Sequence, residues 1–436
     1  MLFLFLLAAC SPAPELRYPT AKGAYATAAG EGDRAELDWL AGFEVVEPGD
    51  LWAGPDAAYA GLRDRGTRLV GYDWMPAAYH ELEADDDPLA AWLYQNRDWA
   101  SLNPEGPFPH CKEMGYDWCQ DYYFDYGEGQ VVAKKADAVA RAAADWDGVF
   151  FDWGPGVFIE EPAYEGMRRT FEERHPERTY LEAVGAFYAA LRERGPGLVV
   201  SNQGFRNAAH VLPHVDLDMT ESYAVGEEYL GRRLNLAGRG EVEVPDTIYY
   251  PVSEDYRTGR LPDTLEWLDW LAGLAREHAG ERFLGYVYMN YAAPRFVPNG
   301  DGSYRAETPK NAILFGYAVP RLLGFFGYTE VGFDRRLERL PVYQADLGEP
   351  LGEGYERQAG VYVRFYRRGL VLVGELEGPT ELVLRSPAIR AGWLYDFYDE
   401  RWIPASEGRL SLRLVPEPDP VTGRAAPVGR VLVYAE

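Results

Sequence analysis

The stretch from Trp146 to Gly156 constrains the fold of this chain more than any other. A three-residue apolar run, Val149-Phe150-Phe151, is entered from Gly148 and left through Asp152, Trp153 and a Gly154-Pro155-Gly156 turn. A short run that is apolar at every position and bounded by turn residues reads as a strand buried on both faces, the habit of parallel sheets. Similar runs lie on either side. Phe43 to Pro48 and Thr67 to Trp74 precede it, and Leu198 to Gly204, Val215 to Tyr223, Thr247 to Glu254 and Phe283 to Asn290 follow, with helical patterns between. One further strand is expected somewhere in residues 97–130, and Lys310–Phe326 is expected to be the closing helix. Such alternation fits a (β/α)8 barrel or an open doubly wound sheet. A near-complete set of eight favours the TIM barrel, over residues 25–327.

Near Gly327 the pattern changes. Gly360 to Val373 alternates apolar and polar residues around an Arg367-Arg368-Gly369 turn, and Glu381–Leu384, Trp393–Phe397, Leu410–Val415 and Val431–Tyr434 continue that period. Period-two alternation with frequent turns predicts a small antiparallel β domain over residues 328–436.

The chain opens with an apolar run ending in Leu7-Ala8-Ala9-Cys10. This resembles a lipoprotein-type signal over residues 1–10, with Cys10 lipidated, although no basic segment precedes it and the apolar part is short. Residues 11–24 are expected to be a tether, and the protein to be exported and held at a bacterial cell envelope or secreted. No other stretch is long and apolar enough to span a bilayer. In an exported chain the two remaining cysteines, Cys111 and Cys119, are most simply a disulfide. A metal is the weaker reading, because no Cys-x-x-Cys spacing occurs and His110 is the only histidine nearby. The formal net charge of -26, without a basic cluster, argues against nucleic acid and polyanionic glycans as partners.

Collected in order, the expected strand ends carry Asp73, Asp152, Asn202, Glu221, Glu254 and Asn290. A barrel gathers such residues on one rim, where catalytic side chains sit. Paired carboxylates over a pit suit glycoside hydrolysis: one donates a proton to the leaving oxygen, the other attacks or activates water. Asp152 and Glu221 are the expected catalytic pair. Asp73, Asn202, Glu254 and Asn290 are expected to contact substrate, with Trp74, Trp153 and Tyr223 as walls for sugar rings. Bland alternatives exist for each. Asp152 can cap its own turn, Glu221 can pair with Arg206 or Arg232, and Asp73 and Glu254 can be loop caps. His210 and His214 lack a third ligand at useful spacing and read as surface or cap residues. No phosphate-binding glycine loop and no Gly-x-Ser-x-Gly elbow is present, and no cofactor or metal is expected.

The run Asp147-Gly148-Val149-Phe150-Phe151-Asp152, followed by Ser201-Asn202 and Thr220-Glu221-Ser222, resembles glycoside hydrolase family 114, the endo-α-1,4-polygalactosaminidase-like barrels, and related hypothetical glycosyl hydrolases. A second echo joins Asp346 to Gly352 with Gly360 to Arg364. The resemblance implies a barrel with a β domain behind it, a polysaccharide substrate, and Asp152 and Glu221 as the catalytic pair. The rival expectation is a glycan-binding surface lipoprotein that keeps the barrel without the chemistry.

Overall fold

The computed structural model describes residues 16–28, 32–78, 88–105, 122–221, 224–249, 260–331, 340–418 and 423–436. Eight parallel strands pair in chain order: β1 (Gly23–Thr27), β2 (Phe43–Asp50), β3 (Arg68–Trp74), β4 (Gly148–Asp152), β5 (Leu198–Asn202), β6 (Leu217–Glu221), β7 (Gly285–Ala292) and β8 (Phe326–Val331). The sheet curls until β8 meets β1, where the Thr27 hydroxyl donates to the Glu330 carboxylate. This is a (β/α)8 barrel.

Helices cover the outside of the ring, among them α1 (Arg34–Leu40), α2 (Gly129–Ala142), α3 (Glu165–Arg174), α4 (Tyr180–Glu193), α5 (Leu261–His278) and α6 (Lys310–Arg321). The sequence of α4 shows why. Thr179 and Glu182 form a reciprocal capping box at its start, a feature contributing about 1 kcal/mol. Tyr180, Val184, Phe187, Tyr188 and Leu191 then recur at helical spacing and are buried against the barrel. Between β4 and β5 the backbones come so close that a Cβ on Gly148 would lie 2.3 Å from the Leu198 carbonyl oxygen. Only glycine fits there.

Two of the expected barrel strands belong elsewhere. β3 pairs directly with β4, Val70 opposite Gly148 and Trp74 opposite Asp152, so among the described residues of 97–130 there is no barrel strand. The described part of that region holds a helix at Arg97–Ala100 and a two-residue strand, Tyr122–Tyr123, against Ala77–Ala78. The described part of the Thr247 to Glu254 run is also not a barrel strand. Asp246–Tyr249 pairs antiparallel with Val225–Glu228 in a separate two-stranded sheet. The two positions are filled by Gly23–Thr27 and Phe326–Val331, which straddle the expected limits of 25 and 327. The helix expected to reach Phe326 ends at Arg321, and Phe326 opens β8.

Behind the barrel stands an antiparallel sheet of β9 (Glu356–Gln358), β10 (Val361–Tyr366), β11 (Gly369–Gly374), β12 (Thr380–Arg385), β13 (Gly392–Asp396), β14 (Arg401–Ser406), β15 (Arg409–Leu414) and β16 (Val428–Tyr434). Its own core is aliphatic, built on Val361, Val363, Leu370, Leu372, Leu382 and Leu412. α6 lies against it: Asn311 donates to the Pro427 carbonyl at 2.8 Å and Arg364 to the Leu322 carbonyl at 2.8 Å. Residues 16–22, expected to be tether, are packed instead. Tyr18 stacks on Tyr395 at 4.9 Å and meets Phe397 edge-on at 5.0 Å, while Thr20 bridges to Ala345. No described helix is long and apolar enough to cross a membrane.

Candidate active site

Side chains alternate across a strand, and at the carboxyl end of the barrel this alternation sorts the candidates. On β3, Tyr72 turns inward and its phenol donates to Asp152 Oδ2 at 2.9 Å. The next residue, Asp73, turns outward. It is buried, 3.1 Å from the Lys135 ammonium on α2, and it accepts from the Trp52 indole at 3.0 Å. Trp74 turns inward again, its ring 6.4 Å from that of Trp153. Asp73 is thus placed apart from Asp152, in an ion pair behind the barrel wall.

On β4, Phe151 packs outward against Phe187 and Tyr188, which leaves Asp152 on the inner face. Its Oδ1 accepts from the Trp153 backbone at 2.9 Å and from Asn202 Nδ2 at 2.8 Å. The same Asn202 nitrogen donates to Glu221 Oε1 at 2.7 Å. One amide therefore ties together the ends of β4, β5 and β6. The two carboxylate oxygens it joins are at most about 5.5 Å apart, two hydrogen bonds end to end.

Burial raises the Glu221 pKa, and the neighbouring charge of Asp152 raises it further; the bond from Asn202 acts in the opposite direction. Glu221 thus holds its proton more tightly than an ordinary glutamate. Asp152 has hydrogen-bond partners on both oxygens, Tyr72 on Oδ2 and Trp153 and Asn202 on Oδ1. Glu221 also escapes the arginines that offered a structural explanation: Arg232 is taken by Asp246, and Arg206 reaches Gln203.

Further residues that the strand-end pattern does not single out stand close enough to act electrostatically with Asp152. Glu47 ends the apolar part of β2, and its pKa is pushed up to about 8 by burial, against a hydrogen bond from the Gly49 backbone and aided by the charges of Glu330 and Asp152. The Tyr291 phenol is raised by burial and by Glu221, Glu330 and Asp152. Glu47 was visible as a carboxylate closing an apolar run. Glu330 was hidden because the expected barrel limit at 327 cuts through β8, leaving Phe326 to a helix and residues 328–331 to the β domain. Asn290, in contrast, points away from the cavity. Its Oδ1 accepts from the backbones of Ala224 and Val225, and its Nδ2 donates to the carbonyls of Gly316 and Tyr328. It is a strut, not a substrate contact.

Trp153 and Gln203 directly follow the last residues of β4 and β5, and both have left-handed backbones, φ 53° and 61°. Neither is glycine, so each conformation costs about 1–3 kcal/mol. Trp153 remains 38% exposed. Tyr223, Glu254, Cys10, Cys111 and Cys119 lie outside the described residues, and the expected disulfide and lipidation with them. Among the described residues, no cluster of three or more His, Cys, Asp or Glu is arranged to hold a metal.

No family model matches the chain, and no curated protein matches it either. Solved structures with a similar course of the chain include the glycoside hydrolase domain of PelA from Pseudomonas aeruginosa, at 16% identity and a TM-score of 0.41, covering 73% of this chain and 98% of that one. Aspergillus fumigatus Ega3 in complex with galactosamine matches at 10% identity and 0.35, covering 63% and 79%. An alpha-amylase from Geobacillus thermoleovorans complexed with acarbose matches at 10% identity and 0.45, covering 91% and 90%.

Proposed function

We propose that this barrel is a retaining glycoside hydrolase in which Asp152 is the nucleophile and Glu221 the acid–base. The observation that carries the reading is the Asn202 amide shared by both carboxylates. Retaining enzymes hold their two carboxyls about 5–5.5 Å apart, whereas inverting ones leave room for a water at roughly 6.5–9.5 Å. A barrel that only bound glycan would have no need to hold two carboxyls at that distance in a buried mouth.

In the first step an Asp152 oxygen attacks the anomeric carbon, while the bond to the leaving oxygen breaks and takes the Glu221 proton. In the second, Glu221 as carboxylate removes a proton from water, which attacks the same carbon and releases Asp152. Tyr72 and the Trp153 backbone hold Asp152 in line throughout. No cofactor enters this chemistry. The formal net charge of -26 disfavours a polyanionic chain and fits a neutral or cationic polysaccharide. Export with a lipid anchor at Cys10 places the activity outside the cell in this reading.

The test is release of reducing ends from a glycan panel that includes α-1,4-linked polygalactosamine, with Asp152→Asn and Glu221→Gln as blanks. Turnover by wild type that both substitutions abolish supports the assignment; full activity in both sinks it.

A further inference from the structure

Beside the catalytic pair a cavity opens between the loops after β4 and β5. Trp153, Phe158, Glu161, Asn202, Gln203 and Arg206 line it. Asn202 belongs to both places. Its Nδ2 is committed to Asp152 and Glu221, which fixes the amide so that Oδ1 faces elsewhere. That oxygen is buried and has no hydrogen-bond partner among the described residues. A buried acceptor left unpaired is costly, and a donor from a ligand removes the cost.

The two strained backbones point to the same place. Among the described residues, four that are not glycine have positive φ, and two of those four, Trp153 and Gln203, line this cavity. Strain of this kind persists where surrounding structure enforces it and concentrates at ligand sites. The strain holds an indole at the mouth, partly exposed, with Phe158 behind it at 6.1 Å. An exposed aromatic face above a small set of amide and charged groups matches a pyranose ring, whose C–H face is apolar and whose edge carries hydroxyls.

We propose that this cavity is a sugar subsite on the glycone side of the cleaved bond. A pyranose ring stacks on Trp153, donates a hydroxyl to Asn202 Oδ1, and meets Gln203 and Arg206 at its edge. The side follows from the walls. They come from the loops after β4 and β5, next to Asp152, which attacks the glycone; Glu221, which protonates the leaving oxygen, enters from β6. The inference rests on the hydrolase reading for the direction of the chain, but not for the binding itself.

The test uses the full chain with α-1,4-linked galactosamine oligomers of two to six residues. In wild type, kcat/KM climbs with chain length. Trp153→Ala lowers it on the hexamer about tenfold more than on the dimer, and Trp153→Tyr, which keeps a stacking face, recovers most of the loss. A parallel arm measures calorimetric binding of the hexamer to Glu221→Gln, alone and combined with Trp153→Ala. Turnover whose length dependence survives Trp153→Ala overturns the subsite and leaves the hydrolase standing. Absence of turnover with binding that Trp153→Ala weakens overturns the hydrolase and leaves the subsite. Neither turnover nor binding overturns both.

Discussion

Asn202 gives its one amide nitrogen to Asp152 at 2.8 Å and to Glu221 at 2.7 Å. Each of the two amide protons thus serves one carboxyl, and the group that spaces the pair also tunes it. The bond lowers the Glu221 pKa against the upward pull of burial and of the Asp152 charge. Asn202→Ala removes that restraint, so the Glu221 pKa rises and the alkaline limb of the kcat/KM profile moves to higher pH. Turnover falls about 100-fold, the scale of losing one positioned group. An unshifted alkaline limb would separate Asn202 from the proton donor.

The roles of the two carboxyls are separable. Asp152→Ala, supplied with azide and an aryl glycoside, yields a glycosyl azide of inverted configuration, because azide replaces the nucleophile. Glu221→Ala yields the retained product through the covalent intermediate. Exchange of these outcomes would exchange the assignments. Asp152→Asn also removes a negative neighbour, so the Glu221 pKa drops toward its ordinary value. Titration of carbon-labelled glutamate by NMR measures that drop.

Glu47 makes stability depend on pH. Its carboxyl moves from 4.5 in the unfolded chain to about 8 in the fold. Below the lower value both states are protonated. Between the two, the unfolded chain has released a proton that the folded one still holds, so stability falls as pH rises; above about 8 the loss is complete. Glu47→Gln cannot ionise. Its unfolding free energy relative to wild type, read by denaturant titration at each pH, therefore climbs from pH 5 to pH 8.5 by an amount on the order of a few kcal/mol. A constant difference across that range would show that Glu47 titrates normally.

Lys135 and Asp73 are almost wholly buried, 1% and 4% exposed, and 3.1 Å apart. Lys135→Met leaves a buried carboxylate unpaired and costs about 3–5 kcal/mol of unfolding free energy. The double variant with Asp73→Leu recovers much of it. Denaturant titration of the three variants checks this, and a double variant as unstable as the single would mean that the pair carries little of the cost.

Local chemistry made most of the barrel legible. Val149 to Phe151 between Gly148 and the Gly154-Pro155-Gly156 turn had to be a buried strand, and Asp152 had to stand at its end. The same reasoning placed Asn202 and Glu221. It failed where the answer depended on partners distant in the chain. Thr247 to Tyr249 has the β-branched and aromatic residues of a barrel strand and does form a strand, yet it pairs with Val225–Glu228. Gly23–Thr27 and Phe326–Val331 fill the two remaining places in the ring with more modest sequences.

The sequence by itself determined six of the eight barrel strands and that carboxylates would crowd the rim, since propensity, spacing and turn chemistry act over a few residues. Only the tertiary structure decided which of those carboxylates meet. A strand sends successive side chains to opposite faces, so one step of register separates Tyr72, bonded to Asp152, from Asp73, bonded to Lys135. Ring closure is a contact between residues about three hundred positions apart, and it is that closure which brings Glu330 to the mouth beside Glu47 and leaves Asn290 holding backbone behind it.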